Sequence, residues 1–127
     1  MNKQIIQTEN APAAIGPYSQ AVKTGNLLFV SGQIPLDPAT GNLVTGGIEI
    51  ETNRAMKNIE AILEAAGLKF ENVVKTTIFL KNMEDFAQVN SVYSSHFINN
   101  FPARETVEVS RLPKNVNVEI SVVAASW

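Results

Sequence analysis

"VNVEISVVAA", residues 116–125, reads as a single β-strand with apolar side chains on both of its faces. Side chains alternate across a strand, so Val118, Ile120 and Val122 face one way. Asn117, Glu119, Ser121, Val123 and Ala125 face the other. The run "LLFV", residues 27–30, is likewise apolar without interruption. Strands of this kind need cover on two sides, and the rest of the chain shows how much cover is available.

Only two stretches carry a helical period. Residues 48–66 place Met56, Ile59, Leu63 and Ala66 on one stripe with Ile62 beside it, and Gly67 stands where a left-handed residue would end a helix. After Asn82, an N-cap candidate, Phe86, Val89, Tyr93 and Phe97 share one side of a second helix that runs to about Phe97. Strands are expected at 3–8, 19–24, 27–31, 73–80, 103–109 and 116–125, with Gly25-Asn26 as a tight hairpin between the second and third. The prolines and glycines of 10–17 and 35–47 mark loops. The resulting order, βββαβαββ, predicts one α+β domain over residues 1–127, with a single mixed, mostly antiparallel sheet and two helices on one face. Two helices leave the other face uncovered. An apolar sheet face of that size is unusual on a soluble monomer, so the expectation is burial against other subunits in a closed ring. The alternative is a single-layer sheet with a mixed outer face.

Composition narrows the function classes. A chain of 127 residues with 45% apolar and 17% charged residues is an ordinary globular domain. Its net charge of −2 and the lack of any basic run give no electrostatic footprint for nucleic acid or a lipid surface. No cysteine is present, which removes disulfides, thiolate metal ligands and thiol nucleophiles. The start "MNKQIIQTENAPA" lacks the apolar core of a signal peptide, and no stretch has the length of a membrane span, so a cytoplasmic protein is expected. A lone histidine, His96, makes a multi-histidine metal site impossible, and no phosphate loop, dinucleotide fingerprint or nucleophile elbow is found. Glu49, Glu51, Glu60 and Glu64 are expected on a solvated helix face with Lys57.

A few residues stand out for chemistry. In "FPARETVEVSRLP", residues 101–113, alternation puts Arg104, Thr106 and Glu108 on one face and Glu105 on the other. Arg104 is either an ordinary salt-bridge arginine or, if no internal partner exists, a planar fork for a ligand carboxylate. Glu119 is either a solvated carboxylate or a group that positions water or acts as general base. Ser31-Gly32 is either a simple strand-to-loop transition or a place where backbone amides approach an anion. Tyr18, after Gly16-Pro17, either packs or caps a pocket, and Asn90 is either a buried polar group or the shoulder of its helix.

Several stretches taken together resemble the RidA family, also called YjgF: "AIGPYSQAV" (14–22), "LLFVSGQIPLDPATG" (27–41), "VVKTTIFLKNM" (73–83), "FPAR" (101–104) and "VEVSRLPKNVNVEISVVA" (107–124). The resemblance spans nearly the whole chain. It implies a chorismate-mutase-like fold of the bacillary type, assembled as a homotrimer with sites in the clefts between subunits. It also implies a cofactor-independent deaminase of reactive 2-imino acids and their enamine tautomers, released by pyridoxal-phosphate dehydratases, with a 2-oxo acid and ammonia as products. The family's carboxylate-holding arginine falls on Arg104 and its water-positioning glutamate on Glu119. Tyr18, Ser31, Gly32 and Asn90 fall on its substrate-binding positions. These residues would come from adjacent subunits.

The chemistry is consistent with such a site. A protonated imine carbon is already electrophilic, so fixing the carboxylate and placing one water suffices, with no metal or cofactor. Many relatives carry cysteine two residues after the arginine, where this chain has Thr106, a poor nucleophile without activation. Thr106 should line the pocket, and covalent thiol chemistry is closed to this protein. The loop from Phe97 to Phe101 is short for the family and should reshape one wall of the cleft. Two other activities compete with deamination: non-catalytic binding of a small carboxylate such as a 2-oxo acid in the same cleft, and RNA cleavage, against which the net charge speaks.

Overall fold

A computed structural model describes residues 2–127. Six strands, β1 (Gln4–Ile6), β2 (Ala21–Thr24), β3 (Leu27–Gln33), β4 (Val73–Leu80), β5 (Ala103–Glu108) and β6 (Val118–Ala125), form one sheet in the order β1-β2-β3-β6-β4-β5. Two helices, α1 (Ile48–Ala65) and α2 (Phe86–Ser94), complete the α+β domain. The final strand lies at the centre, antiparallel to both β3 and β4. Only β4 and β5 run parallel, joined through α2, as a parallel pair must be joined by a crossover. The mixed, mostly antiparallel sheet expected from the sequence is the one observed. No helix among the described residues is long and apolar enough to cross a membrane.

Local chemistry explains the element ends. Gly25 takes φ 58 in the two-residue turn that joins Thr24 to its register partner Leu27. Gly67 takes φ 76 after α1, and Gly67 N donates to Glu64 O at 2.9 Å while Leu68 N donates to Leu63 O at 2.9 Å. These are the paired bonds of a Schellman cap. Asn82 Oδ1 accepts from Glu84 N at 2.9 Å and opens a short turn, Met83–Asp85, that leads into α2. The helix itself stops at Ser94, before the expected Phe97, and single-turn bonds carry the chain on.

The core is one layer between helices and sheet. Leu28 and Val30 of β3, Ile78 and Leu80 of β4, and Val118, Ile120, Val122 and Ala124 of β6 are buried there. Opposite them stand Ala55, Met56, Ile59, Ile62 and Leu63 of α1, with Val89 and Tyr93 of α2. The other sheet face is open. Register aligns Ile5 with Val22, Val22 with Phe29 and Phe29 with Val123, one apolar row across four neighbouring strands. Ile5 is 51% exposed and Phe29 45%.

Two expectations are corrected. Glu51 is not on the solvated face of α1: it is buried, and its carboxylate accepts from Asn117 Nδ2 at 3.1 and 3.3 Å. Helical spacing places it with Ile48, Thr52 and Ala55 on the inward stripe, where Asn117, just before β6, offers a polar partner. The third strand also does not stop at Ser31. It continues to Gln33, and the register against β6 slips between Val30 and Gln33. Ser31-Gly32 is therefore a β-bulge inside a strand rather than its end.

Gln20 anchors the loop before β2. It is buried, its Oε1 accepts from Thr8 N at 2.7 Å, and its Nε2 donates to Thr8 O at 3.0 Å and Pro12 O at 2.8 Å. Gln20→Ala leaves several of these backbone groups without partners and is expected to cost about 2–3 kcal/mol, read from the urea midpoint at unchanged m-value.

Candidate active site

The first cluster lies at the sheet edge on the helix-covered face. Parallel pairing sets Arg104 beside Thr76 and Thr106 beside Ile78, so both β5 side chains point toward α2. Arg104 Nη1 donates to Asn90 Oδ1 at 2.7 Å. The guanidinium carbon stands over two rings, 5.5 Å from the centroid of Phe86 and 5.1 Å from that of Tyr93. Among the described residues the one ion pair within 4.0 Å joins Lys75 to Glu105, so Arg104 has no carboxylate partner. Tyr93 is fixed in turn: its hydroxyl donates to Thr76 Oγ1 at 2.9 Å, and burial raises its pKa, so it remains a donor. Thr106 Oγ1 is shut from solvent without a hydrogen-bond partner. Glu105 points to the opposite face, as alternation predicts, where it accepts from Thr77 Oγ1 at 2.7 Å.

The second cluster lies on the open face. Glu119 projects there because Val118 and Ile120, on either side of it, enter the core. Its side chain rests on Gly32: a Cβ at that glycine would stand 2.6 Å from Glu119 Oε2 and 2.8 Å from its Cδ. The carboxyl is half-buried, and burial raises its pKa above the ordinary value. Ser31 next to it ties the bulge to the preceding loop, its hydroxyl donating to Ser19 O at 2.6 Å and its N–H to Gln20 O at 2.9 Å. That loop presents Tyr18, 54% exposed, just after Gly16 at φ 119.

Arg104, Asn90 and Thr106 are thus brought together, and Glu119, Gly32, Ser31 and Tyr18 are brought together, but the two clusters are apart within one chain. Strand β4 separates β5 from β6. Thr76 pairs with both Arg104 and Val122, and Glu119 lies three residues before Val122. That is roughly 10 Å across the sheet and roughly 10 Å along it, on opposite faces. His96 packs 5.2 Å from the ring of Phe70 with Nε2 3.2 Å from Asn53 Oδ1. It lines a groove of about 1190 Å³ with Phe70, Phe97, Phe101 and Trp127 that contains none of the residues of either cluster.

Phe86 and Tyr93 are the site residues that the sequence reading assigned only to packing. The signal was present: Phe86, Asn90 and Tyr93 are spaced by four and three, which stacks them on one helix face. What the spacing alone lacked was the strand that faces them.

Residues 8–126 match the family described as Endoribonuclease L-PSP. A RutC family protein of Pyrococcus horikoshii is 56% identical over 122 residues, which cover 96% of this chain and 97% of the relative. The human 2-iminobutanoate/2-iminopropanoate deaminase is 49% identical over 122 residues, covering 96% and 89%. The crystal structure of the YjgF gene product of E. coli superposes with a TM-score of 0.92 at 48% identity, covering 98% of this chain and 99% of that one.

Proposed function

Because the chain belongs to the Endoribonuclease L-PSP family, the YjgF/RidA family of the sequence resemblance, we propose that it is a 2-iminobutanoate/2-iminopropanoate deaminase. The observation that carries this reading is Arg104, a cation whose protein partners are an amide oxygen and two ring faces rather than an acid. Its remaining N–H donors are left for a ligand carboxylate, bound as a fork.

The reaction needs little else. Water adds to the iminium carbon, a carbon–oxygen bond forms, and the carbon–nitrogen π pair moves to nitrogen. Glu119, ionised, takes the proton that the water loses and returns it to the amine nitrogen of the carbinolamine. The carbon–nitrogen bond then breaks as the carbonyl forms, and the hydroxyl proton leaves with ammonia as ammonium. Arg104 holds the carboxylate throughout and Tyr18 borders the substrate, while the Thr106 hydroxyl, shut from solvent in the single chain, gives it no polar contact.

The assembly is part of the same reading. In a homotrimer, the Arg104 cluster of one subunit faces the Glu119 cluster of the next, and the apolar row Ile5–Val22–Phe29–Val123 is covered. The separation of the two clusters within one chain supports it. The RNA-cleaving activity in the family's description finds no support in a net charge of −2.

The test couples a threonine dehydratase to the protein and traps free imine with semicarbazide. The protein is expected to speed 2-oxobutanoate release and lower semicarbazone formation. Unchanged semicarbazone with saturable 2-oxobutanoate binding would replace the deaminase with a carboxylate-binding protein.

A further inference from the structure

We propose that Phe86 and Tyr93 are positioning residues that set the affinity of the site for carboxylates, by bracketing the Arg104 guanidinium between ring faces without neutralising it. This rests on the reading that Arg104 receives the substrate carboxylate.

An arginine at a sheet edge faces a conflict. Left to itself, it samples many rotamers, and each ligand must immobilise it. Paired with a protein carboxylate, it is rigid but its charge and fork are already taken. Here the partners are of a third kind. Ring faces attract a cation through their quadrupole and accept nothing from its edge N–H groups. Asn90 takes one donor at 2.7 Å and carries no charge. The guanidinium is thereby oriented while its net charge and most of its donors stay available.

The two rings are supported differently. Tyr93 is 3% exposed, bonded to Thr76 and packed 4.9 Å from the ring of Phe97, so removing it would disturb the core. Phe86 is the first residue of α2 and 37% exposed. It is the ring that can be changed with little structural consequence. Replacement of either by an aliphatic residue keeps apolar volume and loses the quadrupole.

The substrate carboxylate keeps its charge from ground state to transition state, so loosening Arg104 weakens both equally. Phe86→Leu is therefore expected to raise KM roughly 3- to 10-fold, with kcat within about 2-fold of wild type. Calorimetric titration with 2-oxobutanoate should show the same loss in Kd, the thermal midpoint should hold, and Phe86→Tyr should restore Kd. A Phe86→Leu protein that binds 2-oxobutanoate as tightly as wild type overturns the bracket, and so does a Phe86→Tyr protein as weak as Phe86→Leu. If wild type binds 2-oxobutanoate but deaminates nothing, and Phe86→Leu binds more weakly, the bracket stands and the deaminase fails. Wild type that binds no carboxylate sinks both.

Discussion

Arg104→Lys is expected to retain about one hundredth of the wild-type kcat/KM, or less. An ammonium keeps the charge, but it cannot present two parallel N–H donors to a carboxylate, and it ends short of the position that Asn90 and the rings define. Loss of a desolvated charge pair costs about 2–5 kcal/mol, and about 3 kcal/mol is roughly a hundredfold. The stability of the fold should change little, because no acidic side chain among the described residues pairs with Arg104. The same variant tests where the site is built. Chains carrying Arg104→Lys and chains carrying Glu119→Gln should each be crippled, yet when co-expressed they should assort into one ring if the protein forms the proposed trimer. If each site takes its arginine from one subunit and its glutamate from the next, random assortment leaves about one quarter of the sites intact. Activity near that fraction is the expected result. No recovery in mixed rings would mean that both groups act from one chain, which the sheet register opposes.

What the sequence disclosed and what it withheld divide along physical lines. The strand Val73–Leu80 and the Gly67 cap were legible because each depends on a few neighbouring residues: β-branched content in one case, a left-handed φ in the other. The open face was legible for the same reason, since alternation in the last strand is local and two helices can cover only one side. The bulge at Ser31-Gly32 looks like a strand end in the sequence because its cause lies about 90 residues away, in the register of β6. Glu51 was misplaced because a carboxylate on a helix suggests solvent, and only the partner Asn117 makes burial tolerable. The ring bracket around Arg104 needs both α2 and the parallel pairing of β4 with β5. Arg104 itself was found by strand alternation and by family resemblance, neither of which says what holds its side chain in place. Contacts within an element were thus readable, and contacts between elements were readable only where one element's pattern demanded a partner.

That distinction bears most heavily on Gly32, whose importance comes from a side chain on another strand. Its φ lies outside the left-handed region, so alanine fits its backbone without strain, and alanine keeps the N–H and C=O that a ligand would meet. The three nearest atoms all belong to Glu119, with Oε2 2.6 Å, Cδ 2.8 Å and Cγ 3.0 Å from the added Cβ. The end of a flexible side chain can move aside at little energetic cost, so Gly32→Ala should fold with nearly the wild-type thermal midpoint. Catalysis is less forgiving. A shift of about 1 Å in a reacting group can cost on the order of a hundredfold, and that is the loss in kcat expected for Gly32→Ala, with KM little changed because the proposed carboxylate clamp at Arg104 is untouched. The pH profile separates this from a general loss of structure. Burial raises the Glu119 pKa above its ordinary 4.5, and in the proposed reaction the ionised form is the base, so activity should fall as pH drops through that raised value. Pushing the carboxyl toward solvent relieves the burial, so in Gly32→Ala the acid limb should move down toward 4.5. In Glu119→Gln, where the base itself is gone, the limb should disappear along with about 10²- to 10⁴-fold of kcat. A Gly32→Ala enzyme with wild-type kcat and an unmoved acid limb would show that the carboxylate does not act from the position it occupies over the bulge.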